Sequence, residues 1–84
     1  MKQLLEILQR ELGVGSASVV LPGIVNDFKG MLLKAGDGKT VTEEYKIDTG
    51  VTIELTGKKQ AAALYVTGIR VDGRNVSTLP IVLG

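Results

Sequence analysis

The side chains that could do chemistry in this chain are its carboxylates, lysines and arginines, because the sequence contains no His, no Cys and no Trp. The missing thiols and imidazoles are the usual nucleophiles, proton-transfer groups and zinc ligands of enzymes. No single loop supplies several oxygens at alternating positions, as a calcium-binding loop does. We therefore expect no catalytic residue, no metal site and no cofactor. The scattered carboxylates that lead to this expectation are Asp37, Glu43, Glu44, Asp48, Glu54 and Asp72.

One short motif points to an enzyme. Asp48-Thr49-Gly50 resembles the catalytic triplet of the aspartic proteases, in which two close carboxylates share one proton. The resemblance implies a homodimeric protease in which each chain contributes its Asp48. Only residues 51–84 follow the triplet to build a cleft, however, and Val51 stands where that family has Ala or Ser. A β-turn explains Asp and Gly at these positions, so we favour the turn and keep the protease as a remote alternative.

Nucleic-acid binding through basic side chains is a stronger alternative. Small β-barrels bind single strands with cations placed next to stacking aromatic rings, and this chain has only one Phe and two Tyr. Ten Lys and Arg against nine Asp and Glu give a net charge of +1, which is no strong basic footprint. Solubility and protection of sheet edges also explain such cations. The candidate binding residues are Lys39, Lys46, Lys58, Lys59, Arg70 and Arg74.

The chain is apolar for its size: 44% of its 84 residues are hydrophobic, and its mean hydropathy is +0.23. A domain this small usually needs a disulfide, a metal or a partner subunit to be stable. Because the chain lacks Cys and His, a partner subunit is the remaining option, and we expect a homo-oligomer, a dimer or a trimer. No apolar run approaches the roughly 20 residues that cross a bilayer. Polar residues also interrupt the N-terminal segment where a signal peptide would be apolar, so we expect a cytoplasmic protein without membrane contact.

The residue pattern predicts one helix followed by strands. Residues 2–12 carry leucines and isoleucines on one side of a helix that ends at Gly13 and Gly15. From Ser16 onward β-branched residues and glycines are typical of strands and turns. Residues 24–35 fit either a helix or a strand, and Gly30 favours the strand. The other predicted strands are 18–21, 41–47, 51–56, 60–71 and 78–83, with turns at 22–23, 35–39, 48–50, 57–59 and 72–73.

These elements predict an α+β fold in a single domain, residues 1–84. A short N-terminal helix, residues 1–13, precedes a β-rich body, residues 16–84, in which five or six mainly antiparallel strands form a sandwich or small barrel. The predicted function is that of a non-enzymatic structural or adaptor module that self-associates within a larger protein assembly, such as a virion. Other subunits of that assembly are its possible partners. The predicted oligomer contacts are Leu4, Leu5, Leu8, Leu12, Ala61, Ala63, Tyr65, Ile81 and Leu83.

Overall fold

The computed structural model of the chain describes residues 2–12, 17–47, 50–76 and 80–83, excluding the side chains of Lys2, Leu12 and residues 17–19. In these residues two helices precede five strands, so the α+β class is confirmed. The helices are α1, Lys2–Leu12, and α2, Ala17–Lys34. The strands are β1, Thr40–Lys46, β2, Thr52–Gln60, β3, Ala63–Val71, β4, Arg74–Asn75, and β5, Ile81–Val82.

Helix α1 is present where the sequence predicts it. Its apolar residues recur on one side of the helix, and Leu4, Ile7 and Leu8 are buried there. The helix packs against α2. Near its C-terminal end, a carboxylate oxygen of Glu11 lies 3.8 Å from a guanidinium nitrogen of Arg74 in β4. The predicted amphipathic pattern is therefore satisfied within the chain itself.

Helix α2 replaces the strands predicted at 18–21 and 24–35, and both predictions are wrong. They rest on Pro22-Gly23 and Gly30, which have the lowest intrinsic helix propensities. Burial of one apolar side of the helix outweighs these propensities, because residues at helical spacing can all reach the core. Among the described side chains of α2, those with no solvent exposure are Leu21, Val25, Phe28 and Leu32.

The strands form one antiparallel sheet in the order β1-β2-β3-β4, and β5 also pairs with β3. Strand β2 lies along one side of β3. On the other side, β4 pairs with the end of β3 at Arg70 and Val71, and β5 pairs at Tyr65 and Val66. The described strands do not close into a barrel, and helices rather than a second sheet cover one face. The predicted sandwich or barrel is therefore wrong, because the apolar residues expected to build it lie on α2.

A bulge keeps the long hairpin of β2 and β3 facing the core along its whole length. The register shifts between Thr56 and Gly57, so that Thr56 pairs with Gly68 while Gly57 pairs with Val66. Thr67 is the extra residue, and an extra residue reverses the alternation of side chains along its strand. The buried residues of β3 consequently lie on the same face of the sheet before and after the bulge: Leu64, Val66, Ile69 and Val71.

The two tight hairpin turns differ in how well their residues suit them. The predicted turn at Asp72-Gly73 is confirmed, with φ values of 50° and 80°, as a type I′ turn requires. The predicted turn at 57–59 is wrong, because these residues belong to β2. The chain turns instead at Ala61 and Ala62, whose φ values are 52° and 66°. Alanine is strained in this left-handed region, which is why the sequence gives no signal for the turn.

The two faces of the sheet have different environments. On the covered face, residues such as Ile53 and Leu55 of β2 join residues of both helices in one buried cluster. No polar or charged residue in the described part of the chain is buried. On the other face, which we call the open face, the side chains of β2 are half-buried and mostly polar, including Thr52, Glu54 and Lys58. Surfaces available to a ligand or partner therefore lie on the open face and at the ends of the sheet.

Candidate interaction surfaces

The predicted oligomer contacts do not form one surface. Leu4, Leu8, Ile81 and Leu83 have exposed fractions of 0%, 0%, 1% and 3% and lie in the protein's own core. Leu5 is half-buried against that core, and the side chain of Leu12 lies outside the described residues. Ala61 is exposed in its turn, whereas Ala63 and Tyr65 are half-buried on the open face. The fold therefore leaves only the open-face residues of this set near one another at a surface.

The apolar surplus of the sequence is mostly used inside the fold. Among the described residues, the large hydrophobic side chains that stay exposed are Val20 at 36%, Leu33 at 54% and Val82 at 53%. Val20 and Leu33 lie on α2, whereas Val82 lies on β5. This distribution gives no large exposed apolar patch of the kind that marks a binding site by itself. A contact with another molecule must therefore involve polar or backbone groups as well.

Strand β1 offers such groups, because it is an end strand of the sheet. All seven of its residues pair with β2 on one side only. The Ile47 amide donates to the Val51 carbonyl at 3.0 Å, and antiparallel strands bond through alternate residues. The amides and carbonyls of Thr40, Thr42, Glu44 and Lys46 consequently point away from β2. This row of backbone groups can pair with a further strand.

Half-buried apolar side chains line this free edge on the covered side. Val41 and Tyr45 of β1 and Ile24 of α2 pack against the core without being fully enclosed. Met31 of α2 is also half-buried, and its sulfur lies 3.8 Å from the Tyr45 hydroxyl. We call this combination the edge surface: the outer backbone of β1 together with Ile24, Met31, Val41 and Tyr45.

Tyr45 ties β1 to α2 within the edge surface. Its hydroxyl donates a hydrogen bond to a carboxylate oxygen of Asp27 at 2.7 Å. Burial raises the pKa of Tyr45 above its ordinary value, and the hydrogen bond to the Asp27 carboxylate and its negative charge raise it further. The neutral phenol is therefore the stable form, and it fixes the position of the strand relative to the helix.

Two glutamates set the charge of this edge. Glu43 lies between Val41 and Tyr45, and its carboxylate accepts the outward amide of Glu44 at 3.2 Å. Glu44 lies directly opposite Glu54 on β2, whose carboxylate is 3.7 Å from the guanidinium of Arg70. Within the described part of the chain, no cation lies within 4 Å of the Glu44 carboxylate. Like charges opposite each other are unfavourable, so Glu44 would be stabilised by a cation on its free side.

The six predicted basic residues do not form one strip. Arg70 and Arg74 are paired with Glu54 and Glu11, respectively. The ammonium of Lys59 lies 3.8 Å from Asp37. Lys39 is exposed before β1, and Lys46 is exposed at the far end of that strand.

Lys58 differs from the other basic residues because it borders a concavity. It makes no ion pair with any described residue, and it lies directly opposite Tyr65 on the open face. The concavity has a volume of about 340 Å³, and we call it the Tyr65 concavity. Its lining residues are Lys58, Gln60, Tyr65, Thr67 and Pro80.

Comparison with protein families, with curated proteins and with solved structures gives no match. The two surfaces must therefore be interpreted from their own geometry. None of the described helices is both long and apolar enough to span a bilayer. Asp48, on which the protease alternative depends, lies outside the described residues.

Sequence reasoning missed the edge surface and found part of the Tyr65 concavity. The alternation of Val41, Glu43 and Tyr45 predicts a strand but not its place at the end of the sheet. Edge position depends on the order of all strands, and the sequence carries no direct signal for that order. The charge at Glu43, on the covered side of the strand, was the available clue, because inward-pointing charges are typical of edge strands.

Proposed function

We propose that the protein is a non-enzymatic module that self-associates by pairing the edge surface of one chain with the edge surface of a second copy. The observation that carries this proposal is the conjunction at β1. A row of outward backbone groups runs for seven residues next to the half-buried side chains of Val41, Tyr45, Ile24 and Met31. Backbone groups supply affinity when a strand is added to a sheet edge, and side chains supply specificity.

A dimer, rather than a trimer, is the expected product. Two copies of one edge strand can pair antiparallel around a two-fold axis, and each copy then uses the same residues. The pairing uses the outward groups at the C-terminal end of β1 in both chains, and the two-fold axis closes the contact at two copies. The sheet becomes continuous through the dimer, and the helices of both copies lie on the same side of it.

Charge selects between a register with Glu43 on the two-fold axis and one with Tyr45 there. With Glu43 on the axis, the two Glu43 carboxylates would oppose each other, which is unfavourable. With Tyr45 on the axis, Glu44 of each chain lies opposite Lys46 of the other, and the pair occurs twice. Glu44 then gains a cation, which no described residue of its own chain supplies. We therefore propose the register with Tyr45 on the axis.

Charge reversal tests both the dimer and its register. Glu44→Lys places two lysines opposite each other twice, and Lys46→Glu places two glutamates opposite each other twice. A cross-strand charge pair contributes about 0.2–1 kcal/mol, so reversing two pairs should weaken association by about tenfold or more. The double variant Glu44→Lys/Lys46→Glu restores opposite charges and should recover wild-type association. Sedimentation equilibrium measures the association constant of each variant.

Controls separate interface effects from folding. Glu44 and Lys46 are both exposed. At concentrations where the variant and the wild type are monomeric, their free energies of unfolding in urea should therefore agree within about 0.5 kcal/mol. Lys58→Glu reverses a charge on the same open face but on β2, and it should not change association. A wild-type protein that stays at the 8.9 kDa of one chain at every concentration would disprove self-association. A dimer that is indifferent to both reversals would disprove the edge contact.

The wider role is proposed on the sequence alone. A closed two-fold dimer presents each of its remaining surfaces twice, which suits an adaptor in a larger protein assembly. The cytoplasm is the proposed location of this assembly. The proposal of a non-enzymatic role is supported by the lack of His and Cys throughout the sequence.

A further inference from the structure

We infer that the Tyr65 concavity binds one nucleotide of a single-stranded nucleic acid, with the base against the Tyr65 ring and the phosphate at the Lys58 ammonium. This function is separate from self-association. The concavity is built from β2, β3 and the residue before β5, and it includes no residue of β1. The two proposals can therefore fail independently.

The neighbours of Tyr65 leave its side chain accessible from the open face. In the ladder, Tyr65 lies between Lys58 of β2 and Val82 of β5. The next pair toward the turn on the same face is Gln60 with Ala63, and the small side chain of Ala63 leaves space beside the ring. Every base has a flat π-face that can stack on an aromatic ring, which makes such platforms tolerant of sequence.

Lys58 is the cation best placed to meet a phosphate. It lies directly across the ladder from Tyr65 and makes no ion pair with any described residue. The nearest carboxylate-bearing strand position on the open face is Glu54, four residues along β2, and it is already paired with Arg70. An anion at Lys58 therefore does not have to displace an existing partner or approach an unpaired carboxylate on the same strand.

The remaining walls are polar on one side and apolar on the other. Gln60 brings an amide that can donate and accept hydrogen bonds, and Pro80 brings a flat apolar ring. Thr67, the extra residue of the bulge, also lines the concavity, and its hydroxyl donates to the Thr56 carbonyl at 3.4 Å. The volume of about 340 Å³ is at the small end of ligand pockets, which fits one nucleotide rather than a folded segment.

Backbone strain lies next to the site. Ala61 and Ala62, with φ values of 52° and 66°, immediately follow Gln60 of the concavity. Strained non-glycine residues persist only where the surrounding structure enforces their conformation, and they are frequent at binding sites. The strain agrees with a functional use of this end of the hairpin.

Fluorescence anisotropy with labelled single strands tests the inference. The probes are oligo-dT and oligo-U of about 12 nucleotides, a length within known site sizes. Tyr65→Ala should weaken binding by at least about fivefold, whereas Tyr65→Phe should retain it, because stacking needs the ring and not the hydroxyl. Lys58→Gln should weaken binding and reduce the slope of log K against log salt by about 0.7. Arg70→Gln, a cation of the same face outside the concavity, is the matched control.

Three results would overturn the inference. The first is no binding of either oligonucleotide at low salt. The second is binding that Tyr65→Ala and Lys58→Gln leave unchanged, or that Arg70→Gln weakens as much. The third is that thymidine monophosphate binds as tightly as oligo-dT, which would assign the site to a free nucleotide. Circular dichroism of each variant confirms that a loss of binding is not a loss of fold.

Discussion

The two faces of the β2–β3 hairpin differ in both composition and use. On the covered face the buried side chains of β2 and β3 are all apolar, with Phe28 of α2 fully buried above them, and only Lys59, next to the turn, is charged and half-buried there among the described residues. On the open face, threonines and charged residues surround Tyr65, and most are half-buried. The covered face thus carries the stability of the fold, whereas the open face can change without loss of folding.

This difference explains why the function is proposed for residues that contribute little to the core. A surface that is filled by apolar side chains of the same chain has no free group to offer. Lys58 and Tyr65 on the open face, and the outward backbone of β1, remain available because nothing in the described part of the chain covers them. Substitutions in the covered face should lower the free energy of unfolding more than substitutions in the open face. The opposite order would contradict this difference between the faces.

Truncation in the covered face should have the largest effect. Phe28→Ala removes a fully buried ring and should lower the free energy of unfolding by about 3–5 kcal/mol. Tyr65→Ala removes a half-buried ring from the open face and should cost well under half as much. Urea denaturation of both variants measures the difference. Equal costs would show that the two faces do not differ as described.

Two glycines on neighbouring strands give a matched pair. A Cβ at Gly57 would collide with the Tyr65 carbonyl oxygen and lie 3.1 Å from the Phe28 ring, whereas a Cβ at Gly68 would meet the Thr56 side chain at 3.3 Å. Gly57→Ala should therefore destabilise by about 1–3 kcal/mol through overpacking. Gly68→Ala should cost less, because its Cβ would meet Thr56 at 3.3 Å without colliding with a backbone atom. The reverse order in a denaturation experiment would contradict the assigned bulge.

The turn at Ala61 and Ala62 should be improvable. Replacing both by Asn and Gly supplies residues that adopt positive φ without strain, and the double variant should gain about 1–2 kcal/mol. Gly73→Ala at the other turn, where φ is 80°, should lose a comparable amount. Thermal and urea unfolding measure both changes. If the strained turn shapes the Tyr65 concavity, the double variant should also have a changed affinity for single-stranded oligonucleotides.

The smallest effect concerns the hydrogen bond between Tyr45 and Asp27. Because the pKa of Tyr45 is raised, the folded state favours the neutral phenol. Its contribution to stability is complete below about pH 10 and is lost as the pH rises through the raised pKa. In Tyr65→Phe, which retains Tyr45 as its sole tyrosine, phenolate absorbance should appear at higher pH than in the urea-unfolded chain. Asp27→Asn should move that onset to lower pH, and an unmoved onset would contradict the assigned contact.

Local sequence patterns predicted the elements whose residues have a matching intrinsic preference for helix, strand or turn. They missed the elements whose residues do not. The alternation of Ile53 and Leu55 and the Asp72-Gly73 turn carry strong signals, and both structures are present. Helix α2 was missed because Gly30 disfavours a helix locally, whereas the burial of Phe28 that stabilises it depends on the whole fold. The turn at Ala61 and Ala62 has no local signal, since only the pairing of β2 with β3 imposes it.

The surfaces were predictable only in part for the same reason. Tyr65 and Lys58 were among the candidate residues, but their position opposite each other depends on the register of β2 and β3. Leu4 and Leu8 looked available because an amphipathic helix can pack on its own chain or on another. The structure assigns both to the protein's own core, so hydrophobicity alone could not locate a partner surface.

Amide hydrogen exchange at several protein concentrations tests the edge pairing most directly. In the proposed register the outward amides of Glu44 and Lys46 become bonded to the second copy, whereas the amide of Thr40 does not. Protection at Glu44 and Lys46 should therefore rise with concentration, in step with the fraction of dimer, while Thr40 stays fast. Unchanged, rapid exchange of both amides in a sample whose mass is twice 8.9 kDa would contradict pairing through β1.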